Sequence, residues 1–153
     1  MPVCEVRDPV DVFHVQRSVS KAAAALGFEK RACSELAIVG SELASNILKY
    51  GVSGHVEIAA VEDEHGPGIA LVATDRGPPF RNLDAAMRDG WDDRGPIDPV
   101  DMLKRKGIGG GLGAIARLSH SFRVEQLDGG KRIHVVRYLV PPRKKRRSER
   151  TKA

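Results

Sequence analysis

The stretch Ile69-Ala70-Leu71-Val72-Ala73-Thr74-Asp75-Arg76-Gly77-Pro78-Pro79 sets the frame for the rest of the chain. Its first six residues are a near-continuous apolar run, which suits a central strand covered on at least one face. Asp75 to Pro79 breaks the run abruptly and leaves a carboxylate at the exit of a buried strand. Upstream, Val56 to Val61 alternates as a strand does and reaches the run through the turn Glu64-His65-Gly66-Pro67-Gly68. Two helices precede it. The first starts at Asp8-Pro9-Val10-Asp11, where Asp8 can cap and Pro9 suits the first helical position. It carries Val12, Val15, Val19, Ala22, Ala23 and Leu26 at helical spacing and stops at Gly27. The second runs from about Arg31 to Tyr50 with an apolar stripe of Leu36, Val39, Leu43 and Ile47. Val3 to Val6 is a short first strand.

Downstream, Leu83 to Asp89 reads as a short helix and Gly90 to Lys106 as a long loop. A glycine-rich run opens a helical stretch that ends near Leu118. Phe122 to Leu127 and Arg132 to Leu139 are two strands joined by the turn Asp128-Gly129-Gly130. The order is β-α-α-β-β, loop, α-β-β, with no internal repeat. A parallel βαβ ladder would alternate more strictly. The order therefore predicts an α+β fold, a two-layer sandwich with helices on one face of a mixed sheet.

The chain has 153 residues and a formal net charge of +5, but the charge is unevenly placed. Residues 141–153 hold seven Lys/Arg and one acid, Glu149, whereas the rest holds 18 basic and 19 acidic residues. One folded domain over 1–140 and a basic, disordered tail over 141–153 follow, and the domain's own composition does not mark it as a nucleic-acid binder. Cys4 and Cys33 form no CxxC pair, and the five scattered His give no zinc spacing. No apolar run approaches the roughly 20 residues of a membrane span. Met1-Pro2-Val3-Cys4-Glu5 does not open a signal peptide, so a cytoplasmic location is expected.

Three constellations carry chemistry-bearing residues. Glu42, Asn46 and Lys49 share one face of the second helix, at i, i+4 and i+7. A carboxylate, an amide and an ammonium there could serve as base, ligand for a hard cation and counter-charge to phosphate. A solvated helix face would carry the same pattern. Asp75 and Gly77, at the strand exit, could floor a pocket that accepts an exocyclic amine; an ordinary turn would also use Asp and Gly. Gly107-Ile108-Gly109-Gly110-Gly111-Leu112-Gly113 has five glycines in seven residues, hard to justify by packing because glycine loses most entropy on folding. Bare amides ahead of a helix favour phosphate. No Gly-Lys-Ser/Thr follows, so it is not a Walker loop. Gly109, Gly111 and Ala114 match GxGxxA, but no strand precedes them, and the dinucleotide fingerprint needs one.

The order of the three resembles the GHKL ATP-binding family (gyrase, chaperone, histidine-kinase and mismatch-repair types). Ser41-Glu42-Leu43-Ala44-Ser45-Asn46-Ile47-Leu48-Lys49-Tyr50 looks like its N box, Thr74-Asp75-Arg76-Gly77-Pro78 like the G1 box and Gly107 to Gly113 like the G2 box. The likeness is greatest to the anti-sigma regulatory serine/threonine kinases of the stressosome switch type, and it covers residues 3 to 140. It implies the Bergerat-type fold, with ATP and Mg²⁺ as cofactors. Glu42 would be the general base and Asn46 the Mg²⁺ ligand. Lys49 would lie near the phosphates. Asp75 would bind the adenine amino group and Gly77 shape the base pocket. Gly107, Gly109, Gly111 and Gly113 would wrap the phosphates, with Leu112 packed behind them, and 81–106 would be the lid. The partner would be a STAS-type anti-sigma antagonist or another switch protein such as a sigma factor or phosphatase.

Two departures bear on that expectation. Pro79 stands where the family's G1 box usually has a second Gly, which removes an amide donor. The lid is also longer than in the nearest branch. A non-catalytic docking module, binding a sigma factor or phosphatase, is therefore the alternative to a kinase. A third reading gives the basic tail a role on nucleic acid, with a steep salt dependence. The oligomeric state is left open, a homodimer included. Trp91 reads as a loop anchor or a contact for nucleotide or partner.

Overall fold

The structure, a computed structural model, describes residues 2–50, 53–78, 91–92, 95–96 and 111–142. The elements run β1 (Val3–Val6), α1 (Val10–Leu26), α2 (Lys30–Tyr50), β2 (Gly54–Asp63), β3 (Gly66–Asp75), β4 (Trp91–Asp92), β5 (Gly95–Pro96), α3 (Leu112–Arg117), β6 (Ser121–Leu127) and β7 (Gly130–Tyr138). The expected helix over 83–89, Pro79, Gly107, Gly109 and the tail from 143 onward lie outside the described residues. Within the expected long loop, β4 and β5 pair as a small antiparallel ribbon.

The main sheet has five strands in the order β1-β2-β3-β7-β6. Every pairing in it is antiparallel, which corrects the mixed sheet expected from the sequence. Two helices separate β1 from β2, so the chain returns to the sheet reversed. α3 does carry the chain back so that β6 runs parallel to β3, but β7 inserts between those two strands and pairs with both. The parallel strands are never neighbours. Two layers around one core result, as expected for an α+β fold.

The core lies between one sheet face and the two long helices. Ile69, Leu71 and Ala73 of β3 alternate inward with Val56 and Ile58 of β2 and Ile133 and Val135 of β7. Against them pack Leu36, Val39, Leu43 and Ile47 of α2, each 2% exposed or less, and Val12, Val15, Val19 and Ala23 of α1. The periodicity that marked both helices therefore marks their buried stripes. Cys33 is a buried packing residue whose Sγ donates to the Phe28 carbonyl.

The start of α1 differs from expectation. Asp8 does not cap; Asp11, inside the first turn, reaches back and its Oδ2 accepts from the Arg7 and Asp8 amides at 2.9 and 3.0 Å. Pro9 precedes the first helical residue and has no amide to offer, so the nearest orphan donors lie further back, within reach of Asp11. Those amide bonds hold the Asp11 carboxyl below the usual carboxylate range. No described helix is long and apolar enough to cross a membrane.

Candidate functional site

Asp75 closes β3 on the helix-facing side of the sheet. The register sets it between Gly54 at the start of β2 and Lys131 near the start of β7. Its side chain is buried, and its Oδ1 accepts from two donors, the Gly77 amide at 2.7 Å and Lys131 Nζ at 3.0 Å. Lys131 is 1% exposed and also donates to the Pro78 carbonyl at 3.0 Å. A carboxylate, an ammonium and a turn backbone thus form one buried corner at the sheet's end. Burial of this pair is compensated by charge and by hydrogen bonds, as a stable buried pair requires.

Gly54 brings α2 to that corner. A Cβ on Gly54 would lie 2.9 Å from Ile47 Cγ2 and 3.1 Å from Asp75 Cβ, and would collide with the Thr74 carbonyl. Only glycine permits this approach of helix to strand. Ile47 follows Asn46, so the second half of α2 stands over the Asp75 end of the sheet.

The remaining link is Arg137 of β7. Its guanidinium donates to Glu35 Oε1 on α2 at 3.4 Å and to the Leu118 carbonyl, just past α3, at 3.3 Å. Glu35, Glu42, Asn46 and Lys49 fall on one flank of α2, within a wedge of about 60° by helical geometry. Arg137 therefore fixes α3 along that flank.

Along that flank Glu42 is buried at 7% exposure, Asn46 is half-buried and Lys49 is exposed. A solvated helix face would not bury its first carboxylate. Lys49 Nζ lies 5.6 Å from the Tyr50 ring centroid. Gly111 precedes α3 with φ +69°, a backbone state that side-chain-bearing residues rarely adopt. Leu112 and Gly113 are buried. Gly77 is buried and its amide is engaged by Asp75. The structure thus joins Asp75, Gly77 and Lys131 in one corner and sets Ile47, the neighbour of Asn46, beside it at Gly54.

Sequence reasoning missed Lys131 and Arg137. A lysine that directly follows the Asp-Gly-Gly turn, on a strand that otherwise buries Ile133 and Val135 on the same face, was a usable signal for Lys131. Arg137 had no such signal, because its partners, Glu35 and the Leu118 carbonyl, lie far from it in the sequence. Away from the site, Glu125 sits below the usual carboxylate range through its bond to His134 and the charge of Arg132. Asp63 is lowered by the Tyr138 hydroxyl, which donates to it at 2.6 Å.

The model of the histidine kinase-like ATPase domain matches residues 6–137. The chain is 29% identical over 133 residues to the serine/threonine-protein kinase RsbT of Bacillus subtilis (strain 168), covering 86% of this chain and 90% of that protein. The matched span contains the whole helix layer, four of the five sheet strands almost entire and the Asp75–Lys131 corner, and the chain accordingly belongs to the histidine kinase-like ATPase domain family.

Proposed function

We propose that the chain is an ATP-dependent protein serine/threonine kinase that acts as a switch in an anti-sigma, partner-switching pathway. It would transfer the γ-phosphoryl group of ATP to a Ser or Thr of a small STAS-type protein. The supporting observation is that Glu42 is buried on the flank of α2 that also carries Asn46 and Lys49, and that Ile47 of the same helix stands at Gly54 beside the buried Asp75. The similarity to a serine/threonine-protein kinase over most of both chains supports the same reading.

Phosphoryl transfer asks for positioning and charge neutralisation more than covalent chemistry. Asp75 accepts the base's exocyclic amine, and Gly77 leaves room for the ring. The amides of the 107–113 run hold the phosphate chain. Glu42 takes the proton of the acceptor hydroxyl, and its burial keeps competing water from the same carboxylate. The half-buried amide of Asn46 is a neutral oxygen donor of the kind Mg²⁺ takes, alongside phosphate oxygens. Mg²⁺ when bound supplies neutralisation of the phosphate charge. Lys49, at the exposed end of the flank, adds a positive charge toward the phosphates.

The test is phosphoryl transfer to a purified STAS-type partner from MgATP, with wild type and Glu42→Ala. Transfer that falls at least about a hundredfold in the variant, with nucleotide binding kept, supports the reading. Equal transfer by both proteins, or none by either, contradicts it. The second reading is a docking module without kinase activity. Pro79, which offers no amide where the family's G1 box usually has glycine, favours it. Partner binding unaffected by Glu42→Ala, Asn46→Ala or ATP would establish the module instead.

A further inference from the structure

The most deeply buried charged side chain among the described residues, Lys131, has no part in the mechanism above. It stands on the strand next to Asp75 and holds two points of the turn that follows β3. One bond reaches Asp75 Oδ1 and the other the Pro78 carbonyl, both at 3.0 Å. The Gly77 amide reaches the same Oδ1 at 2.7 Å. Two donors on one oxygen fix the carboxylate's rotation about χ2 and leave Oδ2 as the oxygen without a donor from the described residues. A carboxylate normally turns through a broad, two-fold well about that bond. Here the turn is clamped as well, because the bond to Pro78 ties the backbone three residues on to the same ammonium.

We propose that Lys131 is a positioning residue for base recognition: by holding Asp75 Oδ1 and the Pro78 carbonyl, it presents Asp75 Oδ2 as a fixed acceptor for the 6-amino group of a purine. This rests on the nucleotide reading above. A carboxylate set in advance forms its bond without first being ordered, and a base bearing a 6-carbonyl meets an acceptor facing an acceptor. Lys131 thus governs discrimination among bases through Asp75, without itself touching the ligand.

The test is calorimetric titration of MgADP and MgIDP, which differ at the 6-amino group, into the full chain and its Lys131→Met variant. Thermal unfolding of each protein establishes that it is folded. Wild type is expected to prefer MgADP by at least about thirtyfold. Lys131→Met is expected to weaken MgADP about tenfold and MgIDP less than threefold, so the preference collapses. Should Lys131→Met fail to fold, Lys131→Gln, which keeps a neutral donor, carries the test with the same selective loss at about threefold. An equal loss for both nucleotides makes Lys131 a structural residue only and overturns the proposal, as does an unchanged preference. Wild type that binds neither nucleotide, or that binds both equally with no effect of Asp75→Asn, overturns the nucleotide reading and this proposal with it.

Discussion

Lys131 Nζ sits 3.0 Å from Asp75 Oδ1, with the two side chains 1% and 3% exposed. Removing one partner of such a pair strands a buried charge, whereas removing both does not. Lys131→Met alone is expected to lower stability by about 3 kcal/mol. The double variant Lys131→Met with Asp75→Leu should lose less than the sum of its parts, with a coupling of at least about 1 kcal/mol. Urea unfolding of the four proteins in the cycle measures it. Additive losses would mean that the pair contributes nothing beyond its separate packing.

Gly54 separates Ile47 from Asp75 at van der Waals limits. Gly54→Ala adds a methyl group that meets the Thr74 carbonyl, Ile47 and Asp75 together. Backbone on one side and a packed helix on the other leave little room to relax. The substitution should cost about 1–3 kcal/mol and weaken nucleotide binding through displacement of Asp75. Gly66→Ala, at a turn with open space around the added methyl, tests backbone strain without this crowding. Its effect on binding should be absent.

The Tyr138 amide donates to His120 Nδ1 at 3.0 Å, so that nitrogen must keep its lone pair. Burial, and then the positive charge of Arg137, hold the His120 pKa below the usual imidazole value. A lowered folded-state value means that the unfolded chain takes up the proton first. The contribution is complete above the unfolded value of about 6.5 and is lost as pH falls through the folded one. Wild type should therefore lose stability as pH falls below about 6.5, and His120→Asn should flatten that part of the profile. Urea midpoints from pH 7.5 to 4.5 provide the check. Parallel profiles for the two proteins would count against the bond.

Much of this architecture was legible because the signals were local. Leu36, Val39, Leu43 and Ile47 announce the buried stripe of α2, and the 69–74 run announces the central strand. Asp128-Gly129 marks the last hairpin directly. The sheet's strand directions were not legible, because insertion of β7 between β3 and β6 is a pairing over long sequence separation. The same limit explains the site. Glu42, Asn46 and Asp75 stood out by motif and spacing, while Lys131, 56 residues beyond Asp75, becomes its partner only through the register of β3 with β7. The bonds of Asp11 to the Arg7 and Asp8 amides were not legible for a different reason. Several acids near a helix start can serve, and Pro9 decides which amides remain to be satisfied.

On the function proposed above, the Asp75 end of the sheet is a nucleotide pocket. Calorimetric titration of MgATP and MgADP into wild type and Asp75→Asn, with both proteins shown to be folded by circular dichroism, tests it most directly. Wild type is expected to bind saturably with one site per chain, weakened at least about a hundredfold by Asp75→Asn, since a buried carboxylate acceptor is replaced by an amide held differently. Folded wild type that binds neither nucleotide, or binding that Asp75→Asn leaves unchanged, would contradict it.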